Sequence, residues 1–140
     1  MNEAERLAEV ALWIRYARED LVAAEAMVGH PDVAPRHACF LAQQAAEKAL
    51  KAVLVFSQID FAFRHDLDAL RNLVPSGWQL KGNHPDLADL TDWAVESRYP
   101  AEQPEATETD ARDAARQARA VVESIERDLR QHGFNLGEAR

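Results

Sequence analysis

Hydrophobic positions recur along this chain at helical spacing, and a few glycine and proline clusters interrupt them. Between about Asn2 and Val28, the residues Leu7, Val10, Ile14, Ala17, Leu21, Ala24 and Val28 advance by threes and fours, one stripe along a long helix. Gly29-His30-Pro31 stops it, because glycine suits the left-handed position after a helix and proline cannot continue the ladder. A second helix is predicted from Pro35, which fits a first turn, to about Phe56. On one face it carries Ala42, Ala45, Ala46, Ala49, Ala52, Val53 and Phe56, small enough for a neighbouring helix to approach closely. The opposite arc mixes Gln43, Gln44, Glu47, Lys48 and Lys51 with Phe40, Leu54 and Val55. A purely solvated face seldom mixes residues in this way, so this arc is expected to meet another chain, a ligand or another helix.

Residues Ser57 to Arg64 read as a loop bearing Phe61 and Phe63. A short helix follows over about Asp66 to Val74, with Leu67, Leu70 and Leu73 turned inward and Pro75-Ser76-Gly77 closing it. Pro85 opens a fourth helix, its inward set being Leu87, Leu90, Trp93 and Ala94, and Pro100 ends it. Thr107 with Asp110 three positions on resembles a capping box for the last helix. That helix carries Ala111, Ala114, Ala118, Val121, Ile125 and Leu129 inward and ends at about His132, with Gly133 as its cap. No segment alternates with period two. The expected fold is therefore all-α, an up-and-down antiparallel bundle of three long and two short helices, four-helix-bundle-like. Residues 1–133 form one domain and 134–140 a frayed tail.

Charge narrows the function. Of 140 residues, 24 are acidic and 16 basic, a formal net charge of -8. Such a mean field repels phosphate and excludes a protein that coats DNA through bulk positive charge. A hydrophobic share of 47% suffices for one packed core. No apolar run approaches the ~20 residues of a membrane span, and no signal-peptide pattern opens the chain, so a cytoplasmic location is expected. The lone Cys39 excludes an intrachain disulfide and a thiolate metal cluster, and it reads as a buried structural residue. No two of the five histidines stand at a helical metal-ligand spacing, and none pairs with a carboxylate in a pattern that suggests zinc, so neither a metal nor a cofactor is expected. His30, His37 and His84 sit beside prolines or turns and read as surface residues.

Two compact polar clusters remain. Phe63-Arg64-His65-Asp66 stands at the entrance of the third helix, where capping explains Asp66 and where an Arg and a His beside exposed N–H groups also favour an anion. Glu96-Ser97-Arg98-Tyr99-Pro100 closes the fourth helix; the arginine suits the exposed carbonyls there, and a Tyr beside an Arg also suits a base and its phosphate.

The run AQQAAEKALKAVL (Ala42 to Leu54), then FRHDLDAL (Phe63 to Leu70), then LTDWAVESRYP (Leu90 to Pro100), in this order and with Trp13, Ala17 and Asp20-Leu21 ahead of them, closely resembles the HEPN domain family. The resemblance implies a helical bundle that often dimerises, nucleotide binding, and a frequent partnership with a minimal nucleotidyltransferase in toxin–antitoxin-like pairs. Relatives also form the helical domain of certain antibiotic nucleotidyltransferases, and many members are metal-independent ribonucleases. That ribonuclease activity uses an Arg and a later His with four to six residues between them. Arg98 is the natural counterpart here, but Gln103, Pro104 and Glu105 stand where the histidine belongs. Arg127 and His132 have the spacing, yet they lie outside the segments that carry the resemblance.

Three readings follow. In the first, the chain is a HEPN protein that binds a nucleotide or a partner minimal nucleotidyltransferase through Glu47, Lys48, Lys51, Arg64, His65, Arg98 and Tyr99, without an assigned catalytic residue. In the second, it is a dimeric ribonuclease toxin acting on RNA, with Arg98 and His65 as the catalytic candidates. In the third, it is a non-catalytic homodimeric adaptor, a role the mixed face of the second helix fits.

Overall fold

The computed structural model of the chain describes residues 1–62, 65–94 and 104–137, and every regular element among them is a helix. The elements are α1 (Glu3–Met27), α2 (Pro35–Phe56), α3 (Leu67–Leu73), α4 (Gln79–Asn83), α5 (Ala88–Thr91) and α6 (Glu108–Gln131). Three long helices carry the bundle, as the hydrophobic periodicity predicts. The short elements number three among the described residues, not two, because the stretch after Trp78 also closes into a turn of helix. The fourth helix expected from Pro85 is only the four-residue α5 in the described part, and residues 95–103 lie outside it.

The helix ends follow their caps. Asn2 accepts the Glu5 N–H at the start of α1, and Asp66 accepts the Ala69 N–H at the start of α3. Both arms of the Thr107–Asp110 capping box are present at α6. At the other end of α6, Gly133 takes φ +91°, and the Phe134 N–H returns to the Leu129 carbonyl at 2.9 Å. This return turns the chain back onto the bundle. Phe134, assigned to the frayed tail on sequence, is thus buried and meets the Phe56 ring edge-to-face at 6.0 Å.

At the centre lies α2. It packs against α1 and α6 and is covered further by α3 and α5. From Val53 back to Ala38 its alanines are buried, and so are Gln43, Glu47, Lys51 and Leu54 of the opposite arc. The short helices and the loop before α3 cover these four residues, whereas Phe40, Gln44, Lys48 and Val55 of the same arc are only partly buried. A helix that is apolar on both sides is a buried helix, and its polar residues must be satisfied within the chain. Among the described residues none of the buried side-chain nitrogens and oxygens lacks a hydrogen-bond partner.

Ion pairs lock α6 to α1. Arg18 reaches Glu126 with two hydrogen bonds, Nε to Oε2 at 3.0 Å and Nη2 to Oε1 at 2.5 Å. Two turns back along α6, Arg119 grips Glu25 in the same two-pronged way. Leu73, assigned inward on sequence, is exposed on the last turn of α3, where the helix ends before a further inward turn can form. His84, assigned to the surface, is half-buried against α6.

Candidate functional site

Gln43, Glu47 and Lys51 stand one helical turn apart along α2, so their side chains line up on one stripe. Buried among helices, they satisfy one another. Gln43 Nε2 donates to Glu47 Oε1 at 3.0 Å, and Lys51 Nζ donates to Glu47 Oε2 at 2.9 Å. The loop between α2 and α3 brings His65 to the same carboxylate, with Nδ1 at 2.9 Å from Glu47 Oε1. Gln43 Nε2 also donates to the His65 carbonyl at 3.1 Å, which pins the backbone of that residue. The Lys51 ammonium lies over the Trp13 ring of α1 at 5.5 Å and the Phe61 ring of the loop at 5.7 Å.

The electrostatics follow from this set. Burial pushes the Glu47 carboxyl up, but hydrogen bonds from Gln43, Lys51 and His65, together with the Lys51 charge, outweigh it and hold the group below the usual carboxylate range. An ionised carboxylate only accepts, so Nδ1 of His65 carries a proton and the neutral ring keeps Nε2 as an acceptor. The Glu47 side chain is 4% exposed and that of His65 is 61% exposed. A fixed buried base thus holds an imidazole whose outer part meets solvent. Chemically, this arrangement can bind an anion when the ring is protonated, or take a proton when it is neutral.

Of the residues singled out on sequence, the fold brings Glu47, Lys51 and His65 together. Lys48 is elsewhere: its ammonium pairs with Asp20 of α1 at 2.5 Å, part-buried, and serves the α1–α2 contact. Lys51 is likewise engaged with Glu47, so neither lysine meets solvent as a bare phosphate clamp. Arg64, Arg98 and Tyr99 lie outside the described residues. Gln43, which sequence reasoning left among the mixed arc, proves to be a full member of the cluster; its spacing of four from Glu47 was the available signal. Asp20 carried none, because its partner lies 28 positions away.

Two other features fall away as nucleotide sites. His132 stacks flat on Trp78, centroids 3.9 Å apart, and its Nδ1 meets the Asp128 carbonyl at 2.8 Å, so the ring serves the end of α6. A groove of about 460 Å³ beside α5 and the start of α6 is lined by Trp93 with Asp89, Asp92, Glu105, Asp110 and Asp113. Five carboxylates repel a phosphate. No group of three or more metal-ligating side chains gathers among the described residues, and no helix there is long and apolar enough to cross a membrane.

The family model of the HEPN domain matches residues 10–128, from the second turn of α1 to the last turns of α6. The chain belongs to the HEPN domain family. Its fold is also that of a solved protein, TT1696 from Thermus thermophilus: the two chains superpose with a TM-score of 0.68 and share 27% identity, over 86% of this chain and 98% of the other. No curated protein matches the sequence. In this HEPN bundle the Gln43–Glu47–Lys51 stripe of α2 and His65 meet at Glu47.

Proposed function

We propose that this HEPN chain engages a nucleotide, presented by a partner minimal nucleotidyltransferase in a toxin–antitoxin-like pair, at the His65 end of the α2 polar stripe. One observation carries the reading: an exposed imidazole is held in place by a buried, ionised carboxylate, Glu47, at 2.9 Å. Glu47 and Lys51 neutralise each other, so a proton on His65 adds a local positive charge to a surface that is otherwise acidic. A nucleotide phosphate is the anion such a small site suits, and Arg64 adjoins His65 in sequence. Titration calorimetry with ATP tests it. Saturable binding is expected for the wild-type chain and its loss for His65→Ala; no heat at millimolar ATP removes the nucleotide claim. Co-purification with the nucleotidyltransferase encoded beside this chain tests the partner.

The same pair favours a second reading, a metal-independent ribonuclease. With Nδ1 turned to Glu47, Nε2 is the atom that could accept the proton of a ribose 2′-hydroxyl. This reading expects RNA cleavage by the pure protein, growth arrest on expression, and loss of both in His65→Ala and in Arg98→Ala. RNA that stays intact overturns it.

A further inference from the structure

The outer row of α6 carries charge of almost one sign. At about 3.6 residues per turn, Arg112, Arg116, Arg119, Glu123, Arg127 and Arg130 fall within an arc of about 80°. They form a ridge about 27 Å long, opposite the buried stripe of Ala114, Ala118, Val121 and Ile125. Five of the chain's thirteen arginines thus stand on one helical row of a protein whose net charge is -8. Stability does not select such a row. Like charges three or four positions apart on a helix repel, and Arg112–Arg116, Arg116–Arg119 and Arg127–Arg130 all have that spacing. The outer row of α1 has the opposite habit, with Arg15 answered by Glu19 one turn on.

Partners divide the ridge into two positive ends and a waist. At the waist, Arg119 is held by Glu25 of α1 and by Glu123 of its own helix, so two carboxylates meet one guanidinium. At the first end, Arg116 has only a 3.4 Å contact with Asp113, the two side chains being 71% and 64% exposed. Arg112 beside it is exposed and makes no ion pair among the described residues. At the far end Arg127 and Arg130 are exposed too, and they likewise make none among the described residues. The centres of the two ends lie about 22 Å apart. The complement of this pattern is specific. A nucleic-acid strand carries closely spaced phosphates, so in any register some fall against Glu25 and Glu123. A protein helix can instead place carboxylates at both ends and a lysine between them, and guanidinium forks take carboxylates with two hydrogen bonds each. The acidic field of the whole chain also opposes a long polyanion more than it opposes a few local carboxylates.

We infer that the outer row of α6 is a docking surface for an acidic helix of a protein partner, whose carboxylates meet Arg112 and Arg116 at one end and Arg127 and Arg130 at the other. The inference uses none of the residues around His65 and is independent of that reading. Fluorescence anisotropy tests it, with the full chain titrated into a labelled alanine-based helical peptide. The peptide carries two glutamate pairs about 15 residues apart and one lysine between them. Saturable binding at micromolar chain is expected. Arg112→Glu with Arg116→Glu weakens it about tenfold, and Arg127→Glu with Arg130→Glu does the same. These side chains are exposed, so both variants keep their helix content, which far-ultraviolet dichroism verifies. A peptide of the same composition, with its four glutamates gathered at the centre, is expected to bind about tenfold more weakly. No binding at millimolar chain overturns the inference. So does equal binding of the two peptides, which would show charge attraction without a pattern. An oligouridine that binds through the same arginines more tightly than the peptide also overturns it, and would make the ridge a track for nucleic acid.

Discussion

Oε1 of Glu47 lies 2.9 Å from Nδ1 of His65, and the contact joins a buried carboxylate to a ring that faces solvent. Glu47 belongs to the interior and also holds Lys51, itself 6% exposed against Trp13 and Phe61. Removing the carboxylate takes from that buried ammonium its 2.9 Å hydrogen bond to Glu47 and opens a gap in the interior. Glu47→Ala is therefore expected to destabilise the fold by about 3–5 kcal/mol. His65→Ala gives up one contact of a largely solvated ring, and its expected cost is below about 1 kcal/mol. Urea denaturation of the two variants checks the contrast. Equal losses would mean that Glu47 acts only through His65.

Thr107 and Asp110 close a reciprocal cap on α6: the Asp110 N–H donates to the Thr107 hydroxyl at 3.1 Å, and the Thr107 N–H to Asp110 at 2.8 Å. Both bonds are exposed, so water takes over part of what a mutation removes. Thr107→Ala is expected to cost about 1 kcal/mol, and Thr107→Ser almost nothing. Thermal unfolding followed by far-ultraviolet dichroism measures this directly.

That cap was legible in the sequence because capping is local: four consecutive residues contain both donors and both acceptors. The three long helices were legible for the same reason, since a stripe of Val10, Ile14, Ala17 and Leu21 needs no knowledge of what covers it. What covers α2 was not legible. Gln43, Glu47 and Lys51 have the composition of a solvated face, and only the return of a loop 18 residues later, carrying His65, makes them interior. The burial of Phe134 was hidden similarly, because a single glycine at φ +91° decides whether the tail leaves the bundle or folds back. Of the candidate site, the residue types and the α2 spacing were readable. The convergence on Glu47 and the diversion of Lys48 to Asp20 were tertiary facts.

Arg18 and Glu126 tie α1 to α6 through paired bonds, and the two ends are unequally buried: Arg18 keeps 24% of its side-chain exposure and Glu126 only 2%. The loss of either partner is thus asymmetric. Arg18→Ala takes two charge-assisted hydrogen bonds from a buried carboxylate and is expected to cost more than Glu126→Ala, after which the arginine can extend toward water. Replacing both at once, as Arg18→Met with Glu126→Leu, removes the charges together and is expected to cost less than Arg18→Ala alone. A double-mutant cycle on denaturation midpoints reads the coupling, and additive effects would show that the pair contributes no mutual stabilisation.

His84 supplies a pH dependence with a definite sign. Burial against α6 disfavours its charged form and the nearby Arg127 adds to this, while the hydrogen bond to the Ala120 backbone opposes them only in part, so the imidazole titrates below its ordinary value. The unfolded chain takes up this proton first as pH falls. Its contribution to stability is therefore complete above the ordinary imidazole pKa of about 6.5 and is lost as pH drops from there through the depressed native value. Urea midpoints measured at about pH 7.5 and about pH 5.5 should fall with acidification, and the fall should be smaller in His84→Asn, which cannot titrate. The difference between the two slopes isolates this residue from the chain's other histidines and its carboxylates. Identical slopes in wild type and variant would mean that His84 titrates alike in the folded and unfolded states.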